Sequence, residues 1–235
     1  MGTLINVVAI IIGGIIGLTF GRFIKERVQQ GINMACGVSV LFIGMSGALT
    51  GMLEVNEGAV GSRNGMLVTG CLALGTLIGE LIDIEAGFER FGVWLREKTG
   101  NSKDKKFVDG FVTASLTVCI GAMAIVGSIQ DGITGDYSVL ATKAILDLII
   151  IVVMTCSMGK GCAFSAIPVG ILQGTVTLLA KLISPIVTDA AMANLSFIGS
   201  ILIFCVGINL VWGKKVRVAN MLPSLIFAVA AAFIL

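Results

Sequence analysis

The sequence predicts an all-α, polytopic transmembrane helix bundle of about eight spans, with spans 1–3 and 6–8 readable as an inverted repeat. Three observations predict it. Of 235 residues 56% are hydrophobic and only 13% charged, and mean hydropathy is +1.02, whereas soluble domains carry about 25% charged residues to wet their surface. The apolar residues fall in runs near the ~20 residues that a helix needs to cross a bilayer core. The basic residues collect in alternate connections between those runs, as short cytoplasmic loops do.

The spans are expected at 3–20, 31–53, 65–84, 108–130, 138–158, 162–183, 192–212 and 218–235. The first begins at Thr3 without a basic leader and reads as a retained helix, not a cleaved signal. Glu80 and Asp83 near the end of the third can snorkel toward the inner interface. Glycine, 31 residues against three prolines, lies inside the apolar runs. Its four-residue spacings, Gly13-Gly17-Gly21, Gly47-Gly51, Gly75-Gly79 and Gly170-Gly174, suit backbone-to-backbone packing of membrane helices. A glycine-lined pathway is the sharper alternative.

Eight spans give four connections on the side reached after the first crossing. They carry Arg22, Lys25 and Arg27; Arg90, Arg96, Lys98, Lys103, Lys105 and Lys106; Lys160; and Lys214, Lys215 and Arg217, thirteen of the sixteen basic residues. The opposite side has Arg63 and Lys181. This asymmetry places both termini outside. The whole chain forms one integral membrane domain whose sizeable polar insertion is 85–107. There Phe88, Phe91 and Leu95 form one helical stripe among charged residues, predicting an amphipathic cytoplasmic-side helix at the membrane interface.

Internal repetition is faint: Gly13 and Gly17 recur as Gly170 and Gly174, GVSVLF at 37–42 sets against GSILIF at 199–204, and Asn64 and Met66 echo Asn220 and Met221. Because span 1 enters from outside and span 6 from inside, such copies would be antiparallel, an arrangement that recurs in secondary transporters with the substrate site at the repeat interface.

Several chemistries are disfavoured. There is no histidine, so His-based triads, haem ligation by His and His relays are excluded. The six cysteines lack CxxC spacing and read as small buried hydrophobes. Met154, Cys156, Met158 and Cys162 lie close together, but soft-metal capture lacks an exposed Met-, Cys- or His-rich segment. No GxxxxGK[ST] loop occurs. No cofactor, metal, nucleic-acid partner or enzymatic activity is expected.

Ionisable groups inside spans are costly and mark bundle interiors or polar pathways. Lys143 and Asp147 in span five stand four apart and share a helix face. They either neutralise each other structurally or form a pair that a substrate or ion breaks. Gln130 and Asp131 end span four at a Gly-rich acidic turn (Asp131, Gly132, Gly135, Asp136), either a plain reverse turn or a broken-helix cation element. Asn6, Ser165 and Gln173 lie in the repeat-related spans 1 and 6, where a buried amide or hydroxyl needs a partner.

The stretches MGTLINVVAIIIGGIIG at 1–17, LIGELIDIE at 77–85, GAMAIVGSIQDGITGD at 121–136, LATKAILD at 140–147 and AFSAIPVGILQG at 163–174 resemble a bacterial membrane protein family designated domain of unknown function 554. The resemblance runs through the whole chain. It implies a bacterial inner-membrane location and adds interest to Gln130, Asp131, Lys143, Asp147, Ser165 and Gln173, which stand in the shared stretches.

The expected function is a secondary transporter or channel for a small polar solute or ion. Its expected site residues are Asn6, Gln130, Asp131, Lys143, Asp147, Ser165 and Gln173, and its expected partners are the lipid bilayer and further copies of itself. The alternative is a non-transporting scaffold or sensor acting through 85–107.

Overall fold

A computed structural model describes all residues except 22, 57–58, 121, 184–187 and 234–235. Arg22 of the first basic loop, Gly121 at the head of its sequence block, and the last two residues of the eighth expected span therefore lie outside the described residues. The described chain is almost entirely helical, and its contacts divide it into two compact units, Met1–Cys36 with Ala86–Ser184, and Gly37–Glu85 with Pro185–Leu235.

The first unit holds α1 (Gly2–Gly21), the first turns of α2 (Glu26–Met52), most of α4 (Ile84–Lys98), α5 (Phe107–Cys119), α6 (Ala122–Ile133), α7 (Ser138–Met158), a 3-10 turn at Lys160–Ser165, α8 (Ala166–Leu178) and the short α9 (Ala180–Ile183). α1 runs parallel to α7 in direct backbone contact: a Cβ placed on Gly17 would stand 2.6 Å from Val152 O and 2.7 Å from Thr155 Cβ. Only glycine permits that approach, which brings the Cα–H groups of Gly13 and Gly17 toward the Leu148 and Val152 carbonyls of α7. α8 returns antiparallel to α1, with Thr3 opposite Thr177 and Asn6 opposite Gln173. α5 and α6 are two halves of one apolar segment that bends by 62°.

The stripe expected on the amphipathic segment packs against protein. Leu95 of α4 is buried with Phe107 and Phe111, and Phe88 packs on the same cluster. Phe91 touches Phe111 and stacks on the half-exposed Trp94 at 5.6 Å between ring centres. Of the amphipathic segment 85–107, α4 takes the first part; Asp104 then accepts from Lys106 N–H just before α5.

The second unit contains the rest of α2, a hairpin of β1 (Leu53–Asn56) and β2 (Ala59–Ser62), α3 (Gly65–Ile82), α10 (Asp189–Trp212), a 3-10 turn at Val218–Met221 and α11 (Ser224–Ala231). The strands pair antiparallel with Leu53 opposite Ser62. This hairpin fills the connection between the second and third spans; the alternation Leu-Glu-Val-Asn is too short to register in a hydropathy window. Gly44 and Gly207 seat α2 against α10, meeting Phe204 and Leu41 respectively. The core joins Leu67 and Cys71 of α3 to Phe197 and Ile198 of α10 and Ala228 of α11.

Each expected span has a counterpart, but they are not alike. Among the described residues six are long and apolar enough to cross a membrane, and the bent α5–α6 pair would make a seventh. The eighth, 218–235, is built as a 3-10 turn and the eight-residue α11. The sequence showed apolarity there but not the break that Pro223 and the polar Asn220 introduce.

Candidate functional site

The helical register of the first unit converges four elements on one buried polar layer. Asp147 is the tenth residue of the 21-residue α7, about 15 Å from either end at 1.5 Å per residue. One turn earlier Lys143 points to the same side, and the two form a buried ion pair. The Lys143 ammonium also donates to Val118 O at 2.8 Å. Val118 is the next-to-last residue of α5, so its carbonyl is one of those a helix end leaves without an intrahelical partner. The broken segment thus supplies an acceptor that a continuous helix would have consumed.

α1 and α8 complete the layer. Asn6, wholly buried, donates through Nδ2 to Asp147 Oδ2 at 3.0 Å and to Gln173 Oε1 at 3.3 Å. These bonds fix both amides and leave Asn6 Oδ1 and Gln173 Nε2 buried without a partner. Gly132 of α6 lies against Thr177. One turn back along α6, the buried Ser128 hydroxyl too lacks a partner. A buried polar atom left unpaired costs roughly 1–3 kcal/mol. Asn6 and Gln173 carry that cost side by side, next to the Lys143–Asp147 pair.

The remaining expected residues fall elsewhere. Asp131 is buried at the end of α6 and binds the chain's first amino group, at 2.8 Å, and Gly2 N–H, at 2.9 Å. Gln130, next to it, has an unpartnered buried Oε1. Ser165 is buried but donates to Cys162 O at 2.7 Å within its own 3-10 turn, apart from the Asp147 layer. In the acidic turn Ser138 N–H donates to Asp136 at 2.9 Å, and that bond holds the exposed Asp136 carboxyl below the usual carboxylate range. Sequence reasoning missed Val118, whose contribution is a main-chain carbonyl, and Ser128, which stands within GAMAIVGSIQDG and offered the one readable signal.

The second unit has polar groups of its own. Glu85 N–H donates to Asn220 Oδ1 at 2.7 Å, the buried Glu85 carboxylate pairs with Lys214 at 2.7 Å, and Arg217 pairs with Glu80 at 2.8 Å. Asn220 Nδ2 and Ser224 Oγ are buried and unpartnered. Among the described residues no three His, Cys, Asp or Glu side chains gather as a metal-holding group. Cys156, in the Met/Cys stretch, donates to Gly17 O.

Residues 1–233 match the family described as "Protein of unknown function (DUF554)". The chain belongs to that family. It is 30% identical over 234 residues, 100% of this chain and 96% of the relative, to "Uncharacterized membrane protein YdfK" of Bacillus subtilis (strain 168). It is 29% identical over 232 residues, 97% of this chain and 94% of the relative, to "Uncharacterized protein YqgA" of Escherichia coli (strain K12). No solved structure shows significant similarity to the chain. Family membership and the apolar helices together make this a polytopic membrane protein.

Proposed function

We propose that the protein is a secondary transporter or channel that moves a small polar solute or ion through the buried polar layer of its first unit. The observation that carries this reading is the Asn6–Asp147–Lys143–Gln173 constellation beside the break between α5 and α6, with unpaired donors and acceptors turned into it. Ionisable residues at such depth mark ion and solute pathways, and discontinuous helices whose ends face the binding site are the usual construction in secondary transporters. No catalytic role is assigned to the layer.

The relative named as a membrane protein and the α-helical spans support a bacterial inner-membrane location, since outer-membrane spans are closed barrels. The basic-loop asymmetry supports both termini outside, the small-residue faces support assembly into a homo-oligomer, and the antiparallel course of α8 against α1 supports an inverted repeat.

The test begins with a thermal-shift screen of purified protein against salts and small polar solutes, because a ligand that selects the folded state raises stability. Each hit is then measured for uptake into proteoliposomes. Asp147→Asn and Gln173→Ala should each abolish both the shift and the uptake while remaining folded. Equal shifts and undiminished uptake in these variants would place the pathway elsewhere.

A further inference from the structure

The Lys143 ammonium is held by oxygen atoms alone. Val118 O, at a helix C-terminal end, and Asp147 Oδ2 contact it directly. Asp147 Oδ2 is itself fixed by Asn6, whose own Oδ1 is buried and unpartnered. A carboxylate and a helix-end carbonyl are the oxygen donors a hard monovalent cation takes, and the negative end of the α5 dipole adds to their field. A primary ammonium and a partly dehydrated sodium or potassium ion present the same single charge to such oxygens. Burying Asp147 without a positive charge would be strongly unfavourable. Lysine supplies that charge on a flexible four-carbon stem that can withdraw from the cage.

We infer that the Val118 carbonyl and the Asp147 carboxylate, the latter held by the Asn6 amide N–H, form a monovalent-cation cage which the chain fills with its own Lys143 side chain. The ammonium takes the place of a coupling ion, so the state of the site is set by whether Lys143 is seated in the cage, with no metal cation required. This deepens the transport reading and rests on it for the coupling role; the cage itself is testable without any transported solute.

The experiment measures thermal unfolding of the purified full chain at pH 8 in sodium, potassium, ammonium or choline chloride at equal ionic strength. The proteins are wild type, Lys143→Met and Lys143→Met/Asp147→Asn. Wild type should unfold at the same temperature in all four salts. Lys143→Met should be stabilised by one or more of the three small cations over choline, by roughly 5 °C or more when that cation is well above its Kd. The double variant, with no carboxylate to balance, should lose that dependence. Should Lys143→Met be unfolded in choline, its recovery in a small cation supports the inference equally.

The inference is overturned if Lys143→Met is indifferent to the salt, if it unfolds in all four while the double variant folds, or if the double variant keeps the dependence. A salt-indifferent Lys143→Met together with Asp147-dependent uptake by wild type would sink the tethered-cation idea and leave the transport reading standing. A cation-dependent Lys143→Met in a protein that transports nothing would do the reverse.

Discussion

Two glycine pairs that look identical in the sequence should respond oppositely to the same substitution. In Gly17→Ala the new methyl carbon would lie 2.6 Å from Val152 O, 2.7 Å from Thr155 Cβ and 3.3 Å from Cys156 N. Two of these neighbours are backbone of α7, which cannot rotate aside, so α1 and α7 must separate. Overpacking of this kind costs about 1–3 kcal/mol, and a rigid backbone neighbour puts the value at the upper end, near ~3 kcal/mol. At Gly174 nothing lies within 4 Å of the added carbon, and Gly174→Ala should gain the helix preference of alanine, about 0.8–1 kcal/mol. That gain occurs at both positions and cancels in the comparison, so the difference between the variants isolates the clash. At roughly 2–4 °C per kcal/mol for a chain of this size, Gly17→Ala should unfold about 6–12 °C below Gly174→Ala in thermal scans of purified protein. Equal unfolding temperatures, or a larger loss at Gly174, would refute the assignment of α1 and α7 as a backbone-contact pair.

Four further substitutions test the geometry. Leu95→Ala removes the side chain that ties α4 to Phe107 and Phe111; it should cost about 2–5 kcal/mol and speed proteolytic cleavage after Lys103, Lys105 and Lys106, a rate unchanged from wild type being the contrary result. Asn220→Ala should destabilise by about 1–3 kcal/mol because the buried Glu85 N–H loses its acceptor, whereas Ser224→Ala should be neutral or stabilising because its buried hydroxyl has no partner to lose; chemical-denaturation midpoints decide it. Asp136→Ala should lower stability at neutral pH, since a carboxyl held below its ordinary range by Ser138 stabilises the fold above its unfolded-state pKa and loses that effect as pH falls through the folded value. The wild-type and variant unfolding curves should therefore converge on acidification, and a gap that persists in acid would contradict the carboxylate's role.

The legible part of this fold was whatever side-chain hydropathy encodes. The long runs of α1, α7 and α10 announced themselves because nearly every residue in them is apolar, and the pairing of Lys143 with Asp147 followed from their four-residue spacing. The illegible part belonged to the backbone. Nothing in the side chains of Val118 or Ile120 says that the helix halts there and frees a carbonyl for Lys143. The repeated Gly-xxx-Gly spacing did not say which copy touches another helix; Gly13 and Gly17 meet α7, while Gly174 meets nothing within 4 Å. The aromatic stripe of α4 was visible as a stripe, but its partner, Phe107 and Phe111 against a lipid surface, depended on tertiary placement that periodicity cannot fix. Ser128 stood in a conspicuous block, yet its complete burial depended on the packing of α6, which the sequence does not fix.

The same device closes a long helix in both units, and it bears on where function can reside. α7 is capped by Gly159, with φ 88°, followed by Lys160, and a 3-10 turn leads into α8; α10 is capped by Gly213, with φ 78°, followed by Lys214, and a 3-10 turn leads into α11. The left-handed φ at each glycine would strain any other residue, and a lysine beyond a helix C-terminus complements its dipole. A 3-10 turn satisfies fewer main-chain groups in good geometry than an α-helix, so each turn is a weak point inside an apolar segment. The units differ in what meets that weakness. In the second, Asn220 of the turn binds the Glu85 backbone and a neighbouring carboxylate is neutralised by Lys214 from the loop. In the first, Ser165 satisfies the turn internally, and the charged pair sits on the continuous helix α7, facing the separate break at α5. The Lys143–Asp147 pair is required by no turn for its own closure, which is why the proposed transport reading rests on that layer and not on the Glu85–Lys214 cluster.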